Sequence, residues 1–82
     1  GNTIRFGDMI PAYRDRENII AFERRGDKRL LIVSNFQNRQ ASLDLPAPIE
    51  TVILTNVTGL FQEGDQVLEL APYQTIVLEL VE

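Results

Sequence analysis

The residues of this 82-residue chain best suited to acid–base chemistry are its 12 carboxylates. Their setting argues against catalysis. A glycosidic or acyl-transfer site needs two groups with opposed roles, a general acid and a base or nucleophile. Asp8, Asp15, Glu17, Asp27, Glu63 and Asp65 fall in expected turns or strand ends, and Asp44, Glu69 and Glu79 alternate with apolar residues and should point to solvent. No pair is singled out by spacing. The chain has no His and no Cys. It therefore lacks the commonest general base and metal ligand, and any thiolate. Ser34 has no imidazole in the chain to activate it, which excludes a Ser-His-Asp triad. There is no Gly-rich phosphate loop and no carboxylate spacing of the EF-hand type. The reading is of no catalytic residue, no metal site and no cofactor.

Other chemistry-bearing motifs have plainer explanations. Arg25-Gly26-Asp27 spells an adhesion tripeptide, but hairpin geometry alone accounts for Gly and Asp there. Asn56-Val57-Thr58 fits the N-glycosylation pattern, which has meaning only on a eukaryotic secretory route. Asn35, the odd polar residue of an apolar run, reads as a structural amide bonded to a neighbouring turn. A free-standing sugar-binding module needs exposed flat rings, and the chain has no Trp. Phe6, Phe22 and Phe36 read as core or strand-end packing. Tyr13, Phe61 and Tyr73 remain as weak sugar-contact candidates.

Length and composition bound the rest. Eighty-two residues with 44% apolar content suit one small folded domain. All eight basic residues lie between Arg5 and Arg39, while residues 43–82 carry seven acids and no base. The expected use of that asymmetry is cross-strand charge pairing. An acidic total with scattered bases argues against a nucleic-acid partner. No apolar run approaches the roughly 20 residues of a membrane helix, so no membrane partner is expected. The lack of Cys is compatible with a cytoplasmic, reducing compartment. The chain begins at Gly1 with no signal-peptide pattern and looks like a piece of something longer.

The candidate residues must be positioned by strands. Arg29–Phe36 (RLLIVSNF) contains four consecutive apolar residues, Leu30 to Val33, too short a run for a helix and right for a buried central strand. Asn18–Arg25 precedes it, joined by a Gly26-Asp27 turn. In that strand Ile20, Phe22 and Arg24 share one face, and Ile19, Ala21 and Glu23 the other. Ile4–Met9 suggests a first strand, and Pro11 excludes a central position. Gln40–Leu45 alternates with Ala41, Leu43 and Leu45 inward. Glu50–Asn56 and Val67–Leu70 are further strands, separated by a loop over Thr58–Asp65 whose Leu60 and Phe61 should tuck onto the core. Tyr73–Val81 closes the chain with Ile76, Leu78 and Leu80 on the core face. The fold class is all-β, a small antiparallel β-sandwich of six to eight strands.

Two strands are apolar on both faces. Leu31 and Val33 oppose Leu30 and Ile32 in the central strand, and Val77 and Val81 oppose the core row in the last. Leu31, Val33, Val77 and Val81 are therefore the candidate interdomain face, since a lone sandwich wets the outer face of each sheet.

In order and spacing, five pieces of the chain resemble the C-terminal domain of the alpha-amylase superfamily, glycoside hydrolase family thirteen. They are Phe6-Gly7-Asp8, Ala21-Phe22-Glu23-Arg24, Leu30 to Phe36, Leu54-Thr55-Asn56, and Leu70 to Leu80 with Pro72-Tyr73. The branch it is most similar to is that of alpha-glucosidases and oligo-1,6-glucosidases. Val57 and Gln74-Thr75 depart from that pattern, which has an aromatic and Glu-Ala there. The resemblance implies that residues 1–82 are a single non-catalytic C-terminal domain excised from a longer glycoside hydrolase. In such enzymes the catalytic carboxylates lie on a preceding (β/α)-barrel, which would be this domain's partner. The resemblance implies an alpha-glucosidase-type parent that hydrolyses alpha-glucosidic bonds with retention, and a structural role for this domain. A free-standing glucan-binding module and an unrelated interaction domain are the alternatives; sugar binding by the chain itself is not expected.

Overall fold

The computed structural model describes residues 9–58 and 61–82. They contain seven strands: β1 (Ile10–Ala12), β2 (Ile19–Arg25), β3 (Arg29–Asn35), β4 (Ala41–Asp44), β5 (Ile49–Thr55), β6 (Val67–Leu70) and β7 (Thr75–Leu80). Five form one sheet in the order β1-β2-β3-β7-β5, and β4 and β6 pair in a second. All pairings are antiparallel. The small all-β sandwich expected from the sequence is the fold observed, and RLLIVSN is its central strand. The expected strand over residues 4–9 and the motif Phe6-Gly7-Asp8 lie outside the described residues, as does Leu60. The first described strand instead runs through Pro11, on the sheet edge where a missing N–H is tolerated.

Register fixes the faces. Ala21 pairs with Val33, Val33 with Ile76, and Leu31 with Leu78. These residues, with Ile19, Ile49 and Leu80, form the inner face of the large sheet. They pack on Ala41, Leu43, Leu68 and Leu70 of the small sheet and on Leu45, just past β4, to make one core. The alternation of β4 and β7 is as the sequence suggests. Phe61 packs against the core at partial exposure.

This arrangement corrects the candidate interdomain face. Leu31 and Val33 are both 0% exposed and belong to the sandwich's own core. The four-residue apolar run is compatible with either parity, and pairing with Ile76 and Leu78 decides it. The opposite parity, Ile32, is the outward one. Val77 pairs with Ile32 and Leu54 on that outer side, and Val81, beyond β7, is partly exposed.

The connection after β1 ties the two layers together. The Tyr13 hydroxyl donates to the Asp44 carbonyl, and Arg16 donates to the Ser42 carbonyl at 3.0 Å. Both acceptors lie on β4, a strand paired on one side only, so these contacts use groups that an edge strand would otherwise offer to another chain.

Candidate functional site

The outer faces of the two sheets differ in kind. On the small sheet, Ser42 pairs with Glu69 and Asp44 with Val67. The Ser42 hydroxyl and the Gln40 amide donate to the two Glu69 carboxylate oxygens at 3.1 and 3.0 Å. That is a wet surface with its polar groups occupied. On the large sheet, Phe22 lies opposite Ile32, Ile32 opposite Val77, and Val77 opposite Leu54. This apolar row crosses four strands. Phe22 is 37% exposed and Leu54 65%, and neighbouring Ile20 is 51% exposed. Register shifts in β5 between Ile49 and Thr51, and between Val52 and Leu54, set Leu54 on this outer side and leave Ile53 exposed as well. Isolated apolar side chains on a surface are ordinary; a contiguous row across a sheet marks an interaction face.

One end of the large sheet carries a buried polar network. Asn35 and Gln74, each 1% exposed, are joined by an Asn35 N–H bond to the Gln74 carbonyl at 2.8 Å. The Asn35 amide donates to the Arg39 and Ala71 carbonyls at 2.9 and 3.0 Å, while its Oδ1 has no partner. Gln74 accepts from the Ala71 N–H at 2.9 Å and donates to the Thr55 hydroxyl at 2.9 Å. Asn56 accepts from the Thr75 N–H at 2.8 Å and donates to the Tyr73 carbonyl at 3.1 Å. The Ser34 and Thr75 hydroxyls bond at 2.9 Å. Here backbone groups that leave the ladder find side-chain partners. Asn35 is thus the structural amide the sequence suggests, and Asn56 has both ends of its amide engaged.

The other end is charged. Glu23 accepts from Arg29 at 2.7 Å and Arg25 at 3.3 Å. Partial burial acts to raise its carboxyl pKa, but the two guanidinium groups outweigh it and hold the value below the ordinary 4.5. Lys28 pairs with Glu79 at 3.6 Å. Among the described residues this is the ion pair that links the basic and acidic halves of the chain; the Arg25 and Arg29 pairs with Glu23 lie within the basic half. A shallow cleft of about 330 Å³ opens between the layers, lined by Ala12, Tyr13, Glu23, Leu31, Asp44, Leu45 and Pro46. Partial burial first, then the Glu23 and Asp44 carboxylates, push the Tyr13 hydroxyl above its ordinary 10. A neutral phenol donating to a backbone carbonyl is a structural element, and the cleft holds no activated nucleophile.

The three sugar-contact candidates have different settings. Tyr13 braces β4, Phe61 packs on the core, and Tyr73 projects at 59% exposure from the β6–β7 turn. Sequence reasoning also placed Phe22 and Phe36 in packed positions, whereas they are 37% and 56% exposed. The signal for Phe22 lay in its sharing a face with Ile20 rather than with the small residue Ala21. Asp15, Glu17, Asp27 and Glu63 are exposed, and no group of three potential metal ligands occurs among the described residues.

The fold and face together define a class: a two-layer antiparallel module whose distinctive surface is an apolar sheet face, with no catalytic constellation among its described residues. Residues 19–77 match the sequence model of the alpha-amylase SusG C-terminal domain. The chain belongs to this family of alpha-amylase-type C-terminal domains. It is 39% identical over 74 residues to trehalose-6-phosphate hydrolase of Bacillus subtilis (strain 168), covering 82% of this chain and 13% of that one. Its fold matches the isomaltulose synthase SmuA of Protaminobacter rubrum with a TM-score of 0.79 and 28% identity, over 90% of this chain and 14% of that one. The isomaltulose synthase of Erwinia rhapontici gives a TM-score of 0.79 at 27% identity, again over 90% and 14%. The chain therefore spans about one-seventh of the length of these relatives.

Proposed function

We propose that this domain is a non-catalytic module that seats the outer face of its large sheet on the catalytic (β/α)-barrel of an alpha-glucosidase-like enzyme and stabilises that barrel. The observation that carries the reading is the row Phe22–Ile32–Val77–Leu54. It is apolar where the outer face of the small sheet is polar. The great difference in length between this chain and its relatives supplies a natural occupant, the rest of the enzyme. Val77 stays in the proposed face and Ile32 replaces Leu31 and Val33. The parent's chemistry in this reading is retaining cleavage or transfer at an alpha-glucosidic bond, carried out by carboxylates outside this chain.

The test places Phe22→Lys in the 82-residue chain and in the full-length enzyme. A charge on an exposed face leaves the isolated chain's melting point within a few degrees, but it should lower the thermal stability of the full-length enzyme and its activity after heating. Equal effects in both settings would overturn the packing reading. The glucan-binding alternative keeps Tyr73 as an exposed ring, and titration with maltose and isomaltose decides it. Heat of binding in the micromolar to low millimolar range would favour a sugar module.

A further inference from the structure

Tyr73 occupies a backbone conformation that a tyrosine should avoid. It is the third residue of the turn Ala71-Pro72-Tyr73-Gln74, closed by the Gln74 N–H on the Ala71 carbonyl at 3.2 Å. Its φ is 57°. Pro at the second place and positive φ at the third is the pattern of a type II turn, in which Gly or Asn is the relaxed choice. Three other described residues have positive φ: Tyr13, Asn18 and Gly64. Each has a reason within the domain. Gly64 and Asn18 are residue types that tolerate the region, and Tyr13 recovers the cost through its hydrogen bond to Asp44 and its contact with the core.

Tyr73 has no such return inside the domain. Its ring is 59% exposed, yet its backbone is held firmly. The N–H donates to the Gln37 carbonyl at 3.3 Å, and the carbonyl accepts from Asn56 at 3.1 Å. The bond to Gln37 ties Tyr73 to the residue that follows Phe36, which is itself 56% exposed. Phe36 and Tyr73 each neighbour, in sequence, a member of the buried Asn35–Gln74 pair. A strained, tethered, exposed aromatic is a feature to be explained by what it touches outside the domain, and Tyr is among the residues that dominate interface energetics.

We propose that Tyr73 is an anchor held out for the barrel domain of the longer enzyme, positioned at the expense of the domain's own turn. This rests on the packing reading above and names where that contact is strongest. The occupant is the helical outer layer of the barrel, where a ring can lie between the side chains of the helices.

The test uses Tyr73→Gly, Tyr73→Asn and Tyr73→Phe. Gly and Asn relax the turn and remove the ring; Phe keeps the ring and the strain. In the 82-residue chain, Tyr73→Gly and Tyr73→Asn should hold the melting point or raise it by up to about 5 °C. In the full-length enzyme the same two changes should speed amide exchange on β2 and β3 by about tenfold, while Tyr73→Phe leaves it unchanged. Gain or indifference in both settings would overturn the anchor. So would a loss in the full-length enzyme that Tyr73→Phe shares. If Phe22→Lys disturbs the full-length enzyme and the Tyr73 changes do not, the packing reading survives and the anchor alone fails.

Discussion

Adjacent residues of β3 offer the sharpest separation of the two faces. Leu31 is 0% exposed between Glu23 and Leu78, and Ile32 is half-buried between Phe22 and Val77 on the opposite side. Leu31→Ala removes buried methyl groups from a core that can collapse only partly. A cost of about 3 kcal/mol follows, from a total of roughly 4–12 kcal/mol expected for a chain of this length. The melting point of the 82-residue chain should fall by about 12–24 °C. Ile32→Thr keeps a β-branched strand former and puts a hydroxyl where solvent can reach it. Its cost in the same chain is about 0.5–1 kcal/mol, or about 2–8 °C. If the proposed packing holds, that hydroxyl is buried in the full-length enzyme and the cost rises to about 2 kcal/mol. Differential scanning calorimetry of the two variants in the isolated chain reads the contrast directly. A loss from Ile32→Thr as large as that from Leu31→Ala would refute the face assignment, and the docking argument with it.

Gln74→Ala breaks the network around a buried amide. It strips the Ala71 N–H and the Thr55 hydroxyl of a partner at a site 1% exposed, so chemical denaturation should show a loss of about 2–3 kcal/mol. Glu23 ties stability to acid. Because its folded pKa lies below the ordinary 4.5, its contribution is complete above that value and is lost as pH falls through the folded pKa. Glu23→Gln should flatten that part of the stability profile below about pH 4.5; an unchanged acid slope in thermal melts would remove the assigned role of Arg29 and Arg25.

Strand positions were legible because turn residues punctuate them: Gly26 and Asp27 before β3, Pro46 and Pro48 before β5, Pro72 before β7. Facing was legible only where polar residues alternate. Thr75 and Glu79 mark the outer side of β7, and Ser42 and Asp44 that of β4. In β3 the run Leu30 to Val33 carries no such mark. Asn35 adds a misleading one, a polar residue on the core side that is affordable because the turns after β3 and β6 supply carbonyls at Arg39 and Ala71. In β5 the two register shifts break the period altogether. Facing there depends on pairing partners, which are far apart in sequence.

The same geometry explains why so small a domain carries so much apolar residue on a surface. A two-stranded sheet covers a five-stranded one only in part. Where cover ends at the hairpin side, the inner parity turns to the charged residues Glu23, Arg25 and Arg29, which pair with one another. The outer face has no comparable polar substitution along Phe22, Ile32, Val77 and Leu54. A domain of this size buries a smaller fraction of its surface than a large one, so covering that row adds stability that its own core does not provide. The apolar row and the strained Tyr73 turn therefore point the same way. Both are unfavourable in the domain alone, and the proposed packing would make both favourable beneath a second apolar surface.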